Sequence, residues 1–348
     1  MKRTELPTTM RASVLVRAGE LTIETRPVPA PAPDQVIVRV NAVGICGSDV
    51  HYFHEGRIGD FVVEEPLVLG HEAGGTIVAV GADIDDSRLG ERVSIEPQRP
   101  CRVCEFCRSG RYNLCPQIEF YATPPIDGAF AEYVAIQGDF AYAVPDSVSD
   151  DAAALMEPLS VAIAAVQKAG VRPGSRVLIT GAGPIGIVTA QTARAFGATE
   201  IVISDPMAER REVALRFGAT EAVDPAAGPL GSGYDSFVDA SGSPVAVKQG
   251  ISALKPGGVA VLVGMGADEI ALPVSTIQNR ELVVTGIFRY ANTWPTAIEL
   301  VSSGAVDLDA LVTGTFGIAE VREALDSAAQ PSTLKSIVRP GREHAGDV

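Results

Sequence analysis

The sequence predicts two domains of different construction: a compact, barrel-like β domain, and an α/β domain built on a doubly wound parallel sheet. Three observations carry this. The chain has 348 residues, enough for about two domains. Its first third sets short apolar runs between Gly and Pro turns. Its middle alternates strand-like and helix-like segments, as crossover helices on a parallel sheet require.

Within the first third, residues 14–16 and 21–25 read as short strands, and residues 35–40 alternate polar and apolar as a half-buried strand does. Pro27, Pro29, Pro31 and Pro33 break any helix between them. Residues 74–80 and 92–95 add further strands. In the middle, residues 176–180 form a short apolar strand and residues 185–196 a helix that Gly197 is placed to end. A strand at 200–204, a helix at 209–217, a strand at 236–239, a helix at 246–254 and a strand at 259–263 follow, with 226–233 a loop. The tail from about Tyr290 holds helices at 296–302 and 318–328 and strands at 315–316 and 337–338, and is expected to return to the first domain.

The composition excludes several classes. Hydrophobic residues make up 46% and charged residues 20%, a balance that supports a large core and argues against disorder. A formal charge of -15 repels phosphate backbones, so no nucleic-acid partner is expected. Lys2 and Arg3 are followed by no apolar run, and no stretch of about 18 apolar residues occurs, so a secretory signal, a membrane span and any membrane partner are not expected and the location is read as cytoplasmic.

Residues 181–186, Gly181-Ala182-Gly183-Pro184-Ile185-Gly186, match G-x-G-x-x-G between a strand and a helix. Gly181 permits the tight turn, Gly183 lets backbone approach a pyrophosphate, and Gly186 lets helix and strand pack closely. The helix N-terminus then offers unpaired N–H groups to phosphate. Asp205 stands at the end of the next strand, where a carboxylate accepts from ribose hydroxyls and repels a 2′-phosphate, favouring NAD over NADP. Arg210 and Arg211 pull the other way, since a guanidinium pairs with phosphate.

The chain has five cysteines. Cys101, Cys104, Cys107 and Cys115 fall close together, a spacing that suits one closed, structural tetrahedral zinc; four reduced thiols or an iron–sulfur cluster are the alternatives. Cys46 is left over. With His71, Glu72 and Glu157 it offers thiolate, imidazole and carboxylate, all good zinc ligands, although spacing alone does not bring them together.

Residues 70–75, Gly70-His71-Glu72-Ala73-Gly74-Gly75, resemble the zinc signature of medium-chain alcohol dehydrogenases, a family that joins a GroES-like β domain to a Rossmann domain. The resemblance covers nearly the whole chain and implies a first domain of residues 1–158 and 291–348 around a Rossmann domain of 159–290. Narrower matches at residues 51–53, 56–59, 120–125, 157–161 and 288–295 look like the sorbitol dehydrogenase family, with xylitol and related polyol dehydrogenases sharing much of them. Animal sorbitol dehydrogenases lack the full four-cysteine lobe; this chain keeps it, as many microbial members do.

The resemblance implies two zinc ions per chain. Cys46 and His71 are catalytic zinc ligands; Glu72 and Glu157 both match positions where a glutamate takes the place of a second cysteine, one as direct ligand and the other holding a water, and which does which stays open. It further implies that zinc acts as Lewis acid on a secondary hydroxyl of a polyol, that hydride passes to NAD to give a ketose, that Glu157 handles a proton, and that Ser48 and His51 relay protons. Tyr52, Phe120, Thr123, Arg289 and Tyr290 are expected at the substrate. Ser241, Val263, Gly264, Phe288 and Arg289 are expected at the cofactor, and a homotetramer is expected. The remaining readings are a zinc-dependent threonine or 2,3-butanediol dehydrogenase and a non-catalytic NAD-binding protein.

Overall fold

A computed structural model describes residues 6–342 of the chain. It divides into one unit of Met1–Glu157 with Leu308–Val348 and a second of Pro158–Asp307.

The first unit is built on the strand Gln35–Gly44. The strand Glu72–Val80 runs antiparallel along one side of it, from Val36 opposite Val80 to Gly44 opposite Glu72. The other side is shared: Tyr133–Gln137 pairs with its first half and Lys335–Arg339 with its end, Ile337 opposite Gly44. Arg92–Ile95 and Ala141–Ala143 extend the sheet one way, and Val312–Gly317 the other. Thr9–Arg17, Glu20–Pro27 and Leu67–Val68 form a separate three-stranded sheet. Val14, Val36, Val38, Ile77, Val93 and Phe130 lie in one apolar core between these layers. The strand expected to be half-buried at 35–40 is buried along most of Gln35–Gly44. The helix Asp150–Ala154 packs on it and on Glu72–Val80, which is why strict alternation fails as a guide there.

The second unit is a six-stranded, wholly parallel sheet. Its order is Glu221–Val223, Glu200–Ser204, Arg176–Thr180, Tyr234–Asp239, Leu254–Leu262, Val283–Gly286. The chain moves outward from Arg176–Thr180 in one direction and then in the other. The top of that first strand is therefore a switch point, where ligands bind in doubly wound sheets. The helices Pro184–Ala195, Ala208–Arg216 and Pro244–Ala253 make the crossovers at the expected places.

The chain re-enters the first unit at Leu308, whereas the sequence reading draws that boundary at 291. Trp294–Ser302 stays with the parallel sheet. Trp294 is fully buried against Tyr290, and Gln191 on the helix Pro184–Ala195 grips the backbone of Asp307 twice, accepting from its N–H at 2.8 Å and donating to its carbonyl at 3.1 Å. Replacing Gln191 by Ala should lower the stability of the second unit by about 1–2 kcal/mol, since two backbone groups lose a buried partner. Urea unfolding followed by far-UV circular dichroism measures this, and an unchanged midpoint would remove Gln191 from the account.

Candidate metal centres and nucleotide site

The strand register assembles the first centre. Gly44 and Glu72 are cross-strand partners, so the chain leaving one strand toward Cys46 passes the chain entering the other through His71. Cys46 caps the helix Gly47–Glu55. Asp49, fully buried one turn inside that helix, accepts the Cys46 N–H at 3.0 Å with one carboxylate oxygen and the Gly70 N–H at 2.9 Å with the other. One side chain thus fixes the residue before each of two neighbouring features, the helix and His71. One donor atom each from Cys46, His71 and Glu72 lies within 4.8 Å of the others. His71 and Glu72 are buried, and the ring of Phe120 tilts against that of His71 at 5.5 Å between centroids.

The electrostatics of this cluster call for a cation. Burial opposes charge on His71, yet the Cys46 sulfur, Asp49 and Glu157 outweigh it and push the imidazole up to about 10. Asp49 lies 3.8 Å from His71 Nδ1, too far for a hydrogen bond but near enough to act through its charge. Burial raises the Glu72 carboxyl, with Lys335 opposing and Glu157 adding to the rise. Glu72 Oε2 is buried without a hydrogen-bond partner. Sulfur, imidazole nitrogen and an unsatisfied carboxylate oxygen, crowded among further anions, are the donor set of a zinc site with three protein ligands. Glu157, in the first turn of Met156–Lys168 and 5% exposed, is close enough to act on these charges but stands outside the cluster of three.

Gly44 is dictated by this arrangement. A methyl group there would sit 2.0 Å from Glu72 Oε2 and 3.0 Å from the Leu155 side chain. Gly70 takes the left-handed conformation at φ +87° that turns the chain into His71.

Cys101, Cys104, Cys107 and Cys115 also come together, with their sulfurs within 4.8 Å of one another. Cys104 and Cys107 are 3.4 Å apart and Cys101 and Cys107 4.0 Å, too far for disulfides. Zinc–sulfur bonds of about 2.3 Å in a tetrahedron require sulfurs about 3.8 Å apart, a spacing these distances bracket. Backbone N–H groups of Val103 and Cys104 pull the Cys101 thiol down to about 6, while burial and hydrogen bonding to Cys104 push the Cys107 thiol up to about 12, so the four thiols share their protons unequally. Behind the lobe, Glu96 is fully buried. Its Oε1 accepts from Gln98 at 2.6 Å and from the hydroxyl of Tyr112 at 2.8 Å, three residues before Cys115.

In the second unit the glycine turn follows Arg176–Thr180 as expected. Gly181 has φ +91°, and a methyl on Gly186 would sit 1.8 Å from the Gly181 carbonyl oxygen, so both must be glycine. Nothing lies within 4 Å of a methyl placed on Gly183, the residue capping Pro184–Ala195 just ahead of Pro184 and Ile185. Gly181, Gly183, Asp205, Arg210, Ser241 and Gln249 share the lining of a cavity of about 380 Å³. Asp205 is buried and braces the turn, accepting from the Ala182 N–H at 2.8 Å and the Met207 N–H at 2.9 Å. The two arginines separate. Arg211 is engaged by the Asp205 and Pro206 carbonyls and pairs with Asp224, while Arg210 lines the cavity.

Ser241 is held by Asp239, which also accepts from Thr180 and Gly242. The N–H groups of Val263 and Gly264 both donate to the Asp239 carbonyl at 2.9 Å, locking the two loops together. Tyr52 is buried on Gly47–Glu55 beside exposed His51, which contacts Glu55 at 3.2 Å; Ser48 is half-buried on the same helix. Phe120 is buried and Thr123 half-buried in the first unit; Tyr290 is buried in the second. Arg289 adopts φ +54°, with its guanidinium 4.8 Å from the centre of the exposed Phe288 ring.

Two residues of the first centre escaped the sequence reading. Asp49 had a local signal, an acid three residues into a helix behind Cys46. Lys335 had none. Its ammonium bonds Glu72 Oε1 and donates to the Ile45 carbonyl at 3.0 Å, across a separation that only the fold closes.

Comparison with known proteins agrees with this architecture. Residues 32–146 match the alcohol dehydrogenase GroES-like domain and residues 184–303 the zinc-binding dehydrogenase domain. The chain belongs to the family of zinc-binding alcohol dehydrogenases that joins these two domains. Among its relatives, the sorbitol dehydrogenase of Bacillus subtilis strain 168 is 42% identical over 97% of this chain and 99% of its own. The structure of 2R,3R-butanediol dehydrogenase from Bacillus subtilis superposes with a TM-score of 0.87 at 29% identity, covering 95% of this chain and 99% of that one. An alcohol dehydrogenase of E. coli CFT073 solved with NADH has a TM-score of 0.90 at 28% identity, covering 96% and 100%. Among the described residues, no helix is long and apolar enough to cross a membrane.

G44A should displace the Glu72 carboxylate, so metal analysis of the purified variant should find about one zinc per chain where wild type holds about two; undiminished zinc would refute the role given to Gly44. Glu96 supplies a pH dependence. Its carboxyl is raised from 4.5 to about 7, chiefly by burial, so the folded protein holds a proton there that the unfolded chain has released. Its contribution to stability is complete below about 4.5 and is lost as pH rises through about 7, a change of about 3 kcal/mol. E96Q should flatten urea-measured stability between pH 5 and 8 relative to wild type; an identical slope would contradict this.

Proposed function

We propose that this chain oxidises a secondary hydroxyl of a polyol of the sorbitol or xylitol type to the corresponding ketose, reversibly, with NAD. The observation that carries the reading is the cluster of half-buried Cys46 with buried His71 and Glu72, in a chain 42% identical to a sorbitol dehydrogenase over 97% of its length. Cys46, His71 and Glu72 are the ligands of a catalytic zinc, with Glu157 beside them; Cys101, Cys104, Cys107 and Cys115 enclose a structural one. Zinc held there would supply Lewis acidity toward a carbinol oxygen, and NAD on the glycine turn would supply a hydride acceptor.

The chain's own residues supply position and proton handling. Asp49 holds the approaches to Cys46 and His71 through the backbone N–H groups of Cys46 and Gly70. Glu157 handles the hydroxyl proton, and Ser48 and exposed His51 hand protons on to water. Tyr52, Phe120 and Thr123 of the first unit are assigned to the substrate, as are Arg289 and Tyr290 of the second, and the donors of Thr123, Arg289 and Tyr290 suit a hydroxylated substrate. The N-terminus of Pro184–Ala195, opened by Gly183, takes the pyrophosphate. Asp205 and Arg210 border the adenosine end, and Ser241, Val263, Gly264, Phe288 and Arg289 the nicotinamide end. The exposed edge strand Val283–Gly286, where Val283 is 52% exposed, suits assembly into a homotetramer.

A diol reading has one observation in its favour, the fold likeness to 2R,3R-butanediol dehydrogenase, at the lower identity of 29%. NADH formation on a panel of sorbitol, xylitol, ribitol, galactitol, threonine and 2,3-butanediol, with NADP in parallel, separates the readings. A polyol should give the highest kcat/KM, by about tenfold or more over threonine and butanediol. Turnover confined to threonine or butanediol would discard the polyol. No turnover by protein holding both zinc ions would discard the polyol and diol readings and turn the search to other alcohols before the non-catalytic reading.

A further inference from the structure

Lys335 is 3% exposed at the start of Lys335–Arg339, the strand that the register Ile337 opposite Gly44 lays beside the end of Gln35–Gly44. Its ammonium has two partners, the Ile45 carbonyl and Glu72 Oε1. The first immediately precedes Cys46, so one cation ties together the chain at one proposed ligand and the side chain of another. The other oxygen of Glu72, Oε2, is buried and has no hydrogen-bond partner, with Gly44 leaving the space around it.

We propose that Lys335 is a positioning residue that shares the Glu72 carboxylate with the catalytic metal, holding Oε1 so that Glu72 serves as a weak, one-oxygen ligand through Oε2. The inference rests on the reading of Cys46, His71 and Glu72 as zinc ligands. Its sign follows from simple chemistry. A carboxylate placed behind a ligating histidine accepts a hydrogen bond and makes the ligand more basic. Lys335 does the reverse: it donates to the ligand and brings a positive charge, drawing electron density from Glu72 and repelling a second cation on the same group. Lys335 and zinc therefore compete for the charge of Glu72 although they occupy different oxygens. Loss of Lys335 frees both oxygens and removes the repulsion.

The test is zinc affinity in K335M, K335R and wild type, by competition with a chromophoric chelator. The zinc of the four-cysteine lobe reports in the same sample that the chain is folded. Cobalt substitution adds the visible spectrum of the centre. In K335M the second zinc should be held about tenfold more tightly or better, the lobe zinc unchanged, and the cobalt absorption should weaken as a second carboxylate oxygen joins the shell. K335R should restore the wild-type affinity and spectrum. Equal or weaker zinc binding in K335M, with an unaltered cobalt spectrum, would overturn the proposal. Wild type holding only the lobe zinc would overturn the ligand reading beneath it. Should K335M fail to fold, K335Q, neutral but still a donor to the Ile45 carbonyl, is scored by the same two outcomes.

Discussion

Everything at the first centre depends on one cross-strand pair, Gly44 opposite Glu72. A strand pair brings opposed residues to within about 5 Å, and here the pairing falls at the end of one strand and the start of the next. The two chains that continue from it carry Cys46 and His71. A third strand, ending its own pairing at Ile337 opposite Gly44, adds Lys335 from the far end of the sequence. The pair works only because Gly44 has no side chain, since the Glu72 carboxylate fills the space a methyl would take. A slip of one residue in this register would turn Glu72 to the opposite face of the sheet and dissolve the cluster.

The charges within that cluster follow from burial. Asp49, Glu72 and Glu157 are all 5% exposed or less, and buried anions need compensation. Asp49 obtains it from two backbone N–H groups, and Glu72 from Lys335. His71 is held above its ordinary range against burial by its neighbours Cys46, Asp49 and Glu157. A divalent cation bound there satisfies the same demand and needs His71 neutral, so metal and proton compete for one place. The four-cysteine lobe solves a different problem. Its sulfurs are gathered by short-range turns and by N–H groups of the loop.

That difference explains what the sequence reveals. The lobe was legible from spacing because its ligands lie within one loop. The glycine turn was legible because Gly181, Gly183 and Gly186 each answer to a local requirement, and the parallel sheet because its strands and helices keep their own periods. Cys46, His71, Glu72 and Glu157 could be named as ligand types, but their meeting depends on register, which no window of residues contains. Asp49 left a faint capping signal and was overlooked; Lys335, 263 residues from Glu72, left none. The helix Trp294–Ser302 lies in the second unit, and one of the ties of this segment, the two hydrogen bonds of Gln191 to the backbone of Asp307, is again non-local.

The most direct measurement is anomalous diffraction at the zinc edge from crystals of the zinc-loaded protein. The account predicts two peaks in each chain, one enclosed by Cys101, Cys104, Cys107 and Cys115, the other bonded to Cys46 Sγ, a ring nitrogen of His71 and Glu72 Oε2, with the Lys335 ammonium still on Oε1. A single peak in the cysteine lobe, or a second peak carried by Glu157 while Glu72 stays with Lys335 alone, would contradict it.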